Sequence, residues 1–277
     1  MSNSSLCSWL FTPAMRPDRF AKAAESGADV LIIDLEDSVS LNDKAQARKN
    51  ALGYLSSRPA ASVKIALRIN GINTCDGIED LHALLKNRLF PDYLVLPKTE
   101  SASHLQILNN LITAVGADSR LVGIIESVAG LNAVDSIASA TPRLCGLLFG
   151  AADMAADIGT TSAWEPLAQA RSRIVAACAL SGILAIDSPY FDVQDYPGLQ
   201  QEVGHARHFG FTAKAAIHPT QIAAINTTFI PTTAEINHAR AVLVENAKGV
   251  GKVNGVMIDE AVARQARRLL NRAGLSA

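Results

Sequence analysis

The chain has 277 residues, of which 49% are hydrophobic and 18% charged, enough apolar material for one large α/β domain. A net charge of -1 gives no electrostatic reason for nucleic acid or an anionic membrane as partner, and no apolar run approaches the roughly 20 residues of a membrane span. The opening Met1-Ser-Asn-Ser-Ser has no positive n-region, and Cys7, Cys75, Cys145 and Cys178 form no CxxC pair, so the expectation is a cytoplasmic protein with free thiols.

In chain order, short apolar runs alternate with helix-period stretches. Leu6 to Thr12 predicts the first strand, and Pro17 opens a helix that runs to about Ser26, closed by Gly27. Val30 to Asp34 predicts the second strand, with a polar helix over Asp43 to Ser56. Lys64 to Ile69 is the third, followed by a helix over Gly77 to Lys86. Tyr93 to Leu96 is the fourth, closed by Pro97-Lys98 and followed by a helix over Ser103 to Val115. Leu121 to Ile125 and Leu144 to Phe149 give strands five and six, with a helix over Val128 to Ala140 between them. The longest amphipathic helix spans Trp164 to Ser181, and strand seven covers Leu184 to Ile186. A helix over Gln200 to Phe209 leads to strand eight, Ala213 to Ile217, which ends at His218-Pro219.

Eight short, nearly all-apolar strands alternating with helices predict a closed (β/α)8 TIM barrel of the α/β class. An open doubly wound sheet is the rival, weakened by the lack of GxGxxG or a P-loop after any strand. The barrel is expected over residues 1–228. Residues 229–277 then form a C-terminal helical and hairpin appendage acting as a lid or oligomerisation extension. There Thr232-Thr-Ala-Glu235 reads as a capping box and Asn254-Gly255 as a two-residue hairpin turn.

Chemistry in such a barrel sits at the carboxyl ends of the strands. The residues at or just after those ends include Asp34, Glu36, Asp37, Arg68, Asn70, Lys98, Glu126, Asp153, Asp187 and His218. Each has a plainer reading: Glu126 or Asp153 as part of a helix start, Glu36 and Asp37 as solvated acids, Arg68 as a structural ion pair, Lys98 as a loop lysine, His218 as a rim histidine. Taken together they predict a Mg²⁺ site. Glu126 and Asp153 would be the two carboxylates, leaving open positions for a 2-oxo acid, with Mn²⁺ able to substitute. Gly150, Ala151 and Ala152 would present backbone N–H groups to substrate, and Arg68 would hold a carboxylate or a developing enolate.

The ordered blocks Phe11-Thr-Pro-Ala-Met-Arg-Pro-Asp-Arg19, Asp34-Leu-Glu-Asp37, Leu67-Arg-Ile-Asn70, Leu96-Pro-Lys98, Ile125-Glu-Ser127, Phe149-Gly-Ala-Ala-Asp153, Ala216-Ile-His-Pro219 and Met257-Ile-Asp259 carry a resemblance. The chain resembles the citrate lyase β-subunit family within the HpcH/HpaI group of aldolases and acyl-CoA lyases, nearly end to end. The resemblance implies a Mg²⁺-dependent carbon–carbon lyase, assembled as a homotrimer or a pair of trimers. It would cleave citramalyl-CoA or citryl-CoA to acetyl-CoA and pyruvate or oxaloacetate. It further implies Glu126 and Asp153 as metal ligands, Glu36 and Asp37 as acids supporting the metal and its waters, and Arg68 as substrate-binding. Asp259 would be a catalytic aspartate carried by the lid to a neighbouring copy, against its plainer reading as a helix cap. Arg16, Arg19, His218 and Pro219 would lie where CoA binds. Alternatives are a subunit acting on a thioester of an acyl-carrier protein and a CoA-independent aldolase. Two departures bear on the substrate: Ala14-Met15 stands where the family commonly has Gly-Asn, and the loop Gly71 to Asp76 lacks its Thr-Pro-Trp stretch.

Overall fold

Parallel strands buried on both faces must be almost continuously apolar, and this requirement is what makes the barrel readable. The computed structural model describes residues 6–58, 63–249 and 251–276. The opening five residues, read above for targeting, lie outside the described ones. Eight parallel strands close in sequential order: β1 (Ser8–Pro13), β2 (Val30–Asp34), β3 (Lys64–Arg68), β4 (Tyr93–Leu96), β5 (Arg120–Ile125), β6 (Leu144–Phe149), β7 (Leu184–Asp187) and β8 (Ala213–Ala216), with β8 paired back to β1. The TIM barrel is therefore observed.

Alternation along the strands divides the core in two. Val30, Ile32, Ala66, Val95, Val122, Ile124, Leu148 and Ile186 fill the barrel interior with Trp9. Their neighbours Leu31, Ile33, Leu67, Leu94, Leu147 and Ala185 face the helix layer. This parity decides which strand-end side chains reach the mouth of the barrel.

Helix ends follow local chemistry, and here several expectations are corrected. Pro17 opens a 3-10 turn, Pro17–Arg19, and the helix proper, Phe20–Ala24, stops short of Ser26. The single helix expected over 128–140 is two, Val128–Asn132 and Val134–Ala138, meeting at Ala133. The helix before β8 starts at Tyr196, one turn earlier than expected, because Asp195 accepts the Gly198 N–H at 2.9 Å and Pro197 suits the first turn. Two further helices, Ala151–Ile158 and Ile222–Phe229, had no separate signal in the apolar pattern.

Beyond Phe229 the chain builds a small core of its own. Helix Thr233–Asn246 carries the expected capping box, with Thr232 and Glu235 bonded reciprocally at 3.2 and 2.8 Å. A hairpin of β9 (Gly251–Val253) and β10 (Val256–Ile258) turns through Asn254 and Gly255, both with positive φ (51° and 81°) as a type I′ turn requires. Ala239, Val242, Ile258, Ala266 and Leu270 bury one another as the last helix, Glu260–Arg272, folds back. No described helix is long and apolar enough to cross a membrane.

Candidate active site

A cavity of about 360 Å³ opens at the carboxyl ends of the strands. Asp34, Arg68 and Glu126 reach it because each sits two residues beyond an interior residue, Ile32, Ala66 and Ile124. Asp153 enters from the first turn of the helix after β6.

Arg68 is the centre of the polar half. Its Nε and Nη2 donate to Asp34 Oδ1 and Oδ2, both at 2.7 Å, a bidentate pair. Its Nη1 lies 2.8 Å from Glu36 Oε2 and 3.6 Å from Asp37, and its guanidinium stacks 5.0 Å from the Phe11 ring centroid. The Glu36 contact is an ion pair without a directed hydrogen bond, since Oε2 is buried and unbonded. Burial would lower the Arg68 pKa, but Asp34, Glu36 and Asp37 outweigh it and hold the group above its ordinary value. Burial likewise works to raise Asp34, and Arg68 overcomes it, leaving that carboxyl below the usual range. At Glu36 burial prevails over Arg68 and Lys98, and the carboxyl stands above its ordinary value.

Lys98 links this group to Glu126. Its Nζ donates to Glu36 Oε1 and its backbone N–H to Glu126 Oε1, each at 2.7 Å. Its φ of 47° is a left-handed conformation that aims the N–H at the carboxylate. Behind the loop, buried Lys44 donates to the Leu35 and Glu36 carbonyls, both at 2.8 Å, and to Asn70 Oδ1 at 2.7 Å. Asn70 is thus part of the support rather than of the wall.

Glu126 is 4% exposed, and its carboxyl is pushed up to about 8. Burial is the main cause; the Glu36 and Asp153 charges add to it, while the Lys98 N–H and Arg68 oppose it. Ser127, not Glu126, caps the following helix, accepting the Gly130 N–H at 3.1 Å. Gly150, not Asp153, stands at the cap of the helix after β6. Both capping duties therefore fall elsewhere, which leaves the two carboxylates to the cavity. A Cβ at Gly150 would lie 2.6 Å from Glu126 Oε2 and 2.5 Å from its Cβ, so only glycine lets β6 pass this close.

Whether these residues fit a divalent ion rests on that cradle. Glu126 is buried beside a second carboxylate, Asp153, whose charge adds to burial in raising it, and such a place asks for a cation. Among the described residues no group of three or more His, Cys, Asp or Glu forms a metal cage. A pair of carboxylates suits a hard ion that keeps waters or substrate oxygens in its remaining positions, as Mg²⁺ does. The donor set fits.

The remaining expected residues are placed less centrally. Gly150, Ala151 and Ala152 line the cavity as expected, and Asp37 borders it. Asp187 points the other way, into the helix layer, bonded to Arg171 at 3.3 Å and Lys214 at 2.5 Å. His218 is exposed and caps its own turn through Thr220 N–H at 3.3 Å, with Pro219 opening that turn. Arg16 is exposed and paired with Asp18 at 2.7 Å, and Arg19 is exposed beside it. Asp259 does not line its own chain's cavity; its carboxylate caps the last helix through Val262 N–H at 2.9 Å. The apolar wall, Phe11, Pro13, Leu148, Pro189, Phe191 and Ile217, was not foreseen as a wall, because three of its members come from loops that only the fold brings together.

The chain is similar to several known proteins. The crystal structure of RipC from Yersinia pestis is 63% identical and superposes with a TM-score of 0.74, covering 83% of this chain and 97% of that one. CitE from Mycobacterium tuberculosis, solved with magnesium, acetoacetate and coenzyme A, is 33% identical at a TM-score of 0.80, covering 98% and 99%. L-malyl-CoA/beta-methylmalyl-CoA lyase of Rhodobacter capsulatus is 35% identical over 96% of this chain and 94% of its own length. The fold, the paired carboxylates and these relatives converge, and the HpcH/HpaI aldolase/citrate lyase family, whose profile matches residues 7–219, is the family to which this chain belongs.

Proposed function

We propose that the protein is a Mg²⁺-dependent carbon–carbon lyase acting on a β-hydroxyacyl-CoA, releasing acetyl-CoA and a 2-oxo acid. The observation that carries this reading is Glu126 and Asp153 at one cavity wall with Arg68 held in the same cavity by Asp34. Glu126 and Asp153 would hold Mg²⁺, which would supply Lewis acidity to the substrate hydroxyl and its neighbouring carboxylate. CoA as the carrier is supported by the relatives, one named for malyl-CoA and one solved with coenzyme A.

The chain's own groups account for the rest. Arg68, locked by its bidentate pair, presents a fixed positive charge where negative charge grows as the bond breaks. The residues at the start of helix Ala151–Ile158 line the same space, where their N–H groups can hold a carboxylate oxygen. Glu36 and Asp37 support this arrangement through Arg68, and Lys98 holds Glu126. The resemblance carried by Met257-Ile-Asp259 supports Asp259 as the base that takes the hydroxyl proton, and since it does not line its own chain's cavity it would serve that of a neighbouring copy. Arg16 and Arg19, exposed just after β1, are placed for CoA phosphates, with His218 and Pro219 on the adjacent rim after β8.

The wall chemistry favours citramalyl-CoA over citryl-CoA. Among the described residues Arg68 is the sole cationic side chain lining the cavity, and it already carries Asp34 and Glu36. Citryl-CoA carries a carboxymethyl group on the cleaved carbon, whose carboxylate meets no free cation among the described residues lining the cavity, whereas citramalyl-CoA carries there a methyl group that the apolar wall accepts. A Mg²⁺-dependent cleavage assay with citramalyl-, citryl- and malyl-CoA tests this, scoring the 2-oxo acid released. Pyruvate from citramalyl-CoA, abolished by chelation and by Asp153→Asn, is the expected outcome. Preferred turnover of citryl-CoA would overturn the substrate choice, and no turnover of any thioester would overturn the CoA assignment in favour of a carrier-protein substrate.

A further inference from the structure

A second cavity, of about 230 Å³, lies beside the first and shares Ala151, Pro189 and Phe191 with it as walls. Its other side is built on Arg171 and on the start of helix Trp164–Ser181. Arg171 is 1% exposed and stacks on two aromatic rings, 3.9 Å from the Trp164 centroid and 4.9 Å from that of Phe149. Its Nε donates to Asp187 at 3.3 Å, but its Nη1 is buried with no hydrogen-bond partner among the described residues. Trp164 Nε1, beside it, is buried and unbonded as well.

The helix adds donors of its own. It is 18 residues long, and the residue at its cap is Ala163, whose methyl group accepts nothing. Its first N–H groups therefore have no side-chain acceptor, and its dipole presents positive charge at that end.

The acids nearby are already engaged. Asp187 is shared by Arg171 and Lys214, and Glu202 accepts from Lys214 at 3.0 Å. Asp192 accepts the Gln194 and Asp195 N–H groups at 2.9 and 3.2 Å. The wall thus offers the Arg171 guanidinium with one nitrogen unmet and the first N–H groups of the helix, while Asp187, Asp192 and Glu202 each already accept at least one hydrogen bond. A buried charged donor left unmet is a costly feature of a fold, and an occupant supplying only acceptors removes it.

We propose that this cavity binds a small carboxylate, its oxygens shared between Arg171 and the first N–H groups of helix Trp164–Ser181. The site is distinct from the cavity that holds Glu126 and Arg68, and an acid in it would press on the Ala151 and Phe191 walls common to both.

Titration calorimetry of the full chain, freed of divalent metal on a chelating resin, with acetate and with pyruvate tests the proposal. Two variants probe its two halves. Arg171→Met keeps an unbranched chain beside Trp164 and removes the guanidinium donors. Ala163→Asp sets a carboxylate of the protein's own at the helix cap, where it answers the N–H groups from within and stabilises the helix. The expected result is one acid bound per chain, weakened about tenfold or more in each variant, the effect of losing one charge-assisted hydrogen bond. Ala163→Asp should melt no lower than the wild type, so that its loss of binding is not a loss of folding. Absence of binding in the wild type, or affinity unchanged in both variants, would overturn the site.

Discussion

Gly150→Ala is the sharpest probe of the proposed metal site, because the added atom lands on Glu126. The new Cβ would stand 2.5 Å from Glu126 Cβ, 2.6 Å from Oε2 and 3.3 Å from Ile124 Cγ2. Carbon atoms in a packed core sit about 3.5–4.0 Å apart, so Glu126 or the β6 end must move by roughly 1 Å. Gly150 has φ -94°, so alanine strains no backbone angle, and the cost is one of packing. Overpacking of this kind destabilises by about 1–3 kcal/mol, or some 2–10 °C of melting temperature for a chain of this size. The larger effect falls on the ion. Mg²⁺ holds its ligands within a few tenths of an ångström of about 2.1 Å, so a displacement of roughly 1 Å removes Glu126 from coordination. Thermal unfolding with and without Mg²⁺ separates the two effects. At 100 times its dissociation constant, Mg²⁺ should stabilise the wild type by about 2.7 kcal/mol and the variant by close to nothing. An unchanged Mg²⁺-dependent rise in the variant would refute the assignment of Glu126 as a ligand.

The Glu126 carboxyl, at about 8 in the metal-free chain, gives a pH signature. Mg²⁺ must displace its proton below that pH, so affinity should rise about tenfold per unit from pH 5 to 8 and then level off, as calorimetry would show. The sign for stability follows from the same shift. The folded state keeps a proton that the unfolded chain releases near the ordinary value of 4.5, so metal-free protein should lose stability from this group as pH rises from about 5 to 8. Saturating Mg²⁺ should flatten that slope, because the metal-bound and unfolded states are then both deprotonated at Glu126, and a metal-free stability flat across the window would contradict the shift. If Asp259 serves a neighbouring copy, Glu126→Gln and Asp259→Asn should each be inactive alone yet regain activity when co-assembled; failure of the mixture to recover would place the base within one chain. Lys44→Met removes three buried hydrogen bonds beneath Glu36 and should cost about 3–5 kcal/mol in denaturant unfolding. A loss below 1 kcal/mol would show that the loop holds without it.

The sequence by itself pointed to the barrel: strands covered on both faces leave eight apolar runs alternating with helices, and no GxGxxG or P-loop follows any of them to favour an open doubly wound sheet. It also placed Arg68, Glu126 and Asp153 at the strand ends, because the end of each run is marked by its first charged residue. Which rim residues face the cavity was decided by the tertiary structure alone. In a strand apolar on both faces the inward and outward positions look alike, so Asp34 and Asp187 read as equivalent strand-end acids. Closure puts Ile32 and Ile186 inside, which sends Asp34 to the mouth of the barrel two residues later and Asp187, one residue later, to the helix layer and Lys214. The same limit hid Asp34 as the partner of Arg68, and the left-handed turn at Lys98 that sets its N–H against Glu126. Contacts across sequence separations of 28 to 34 residues depend on the register of the closed sheet, which local periodicity does not contain.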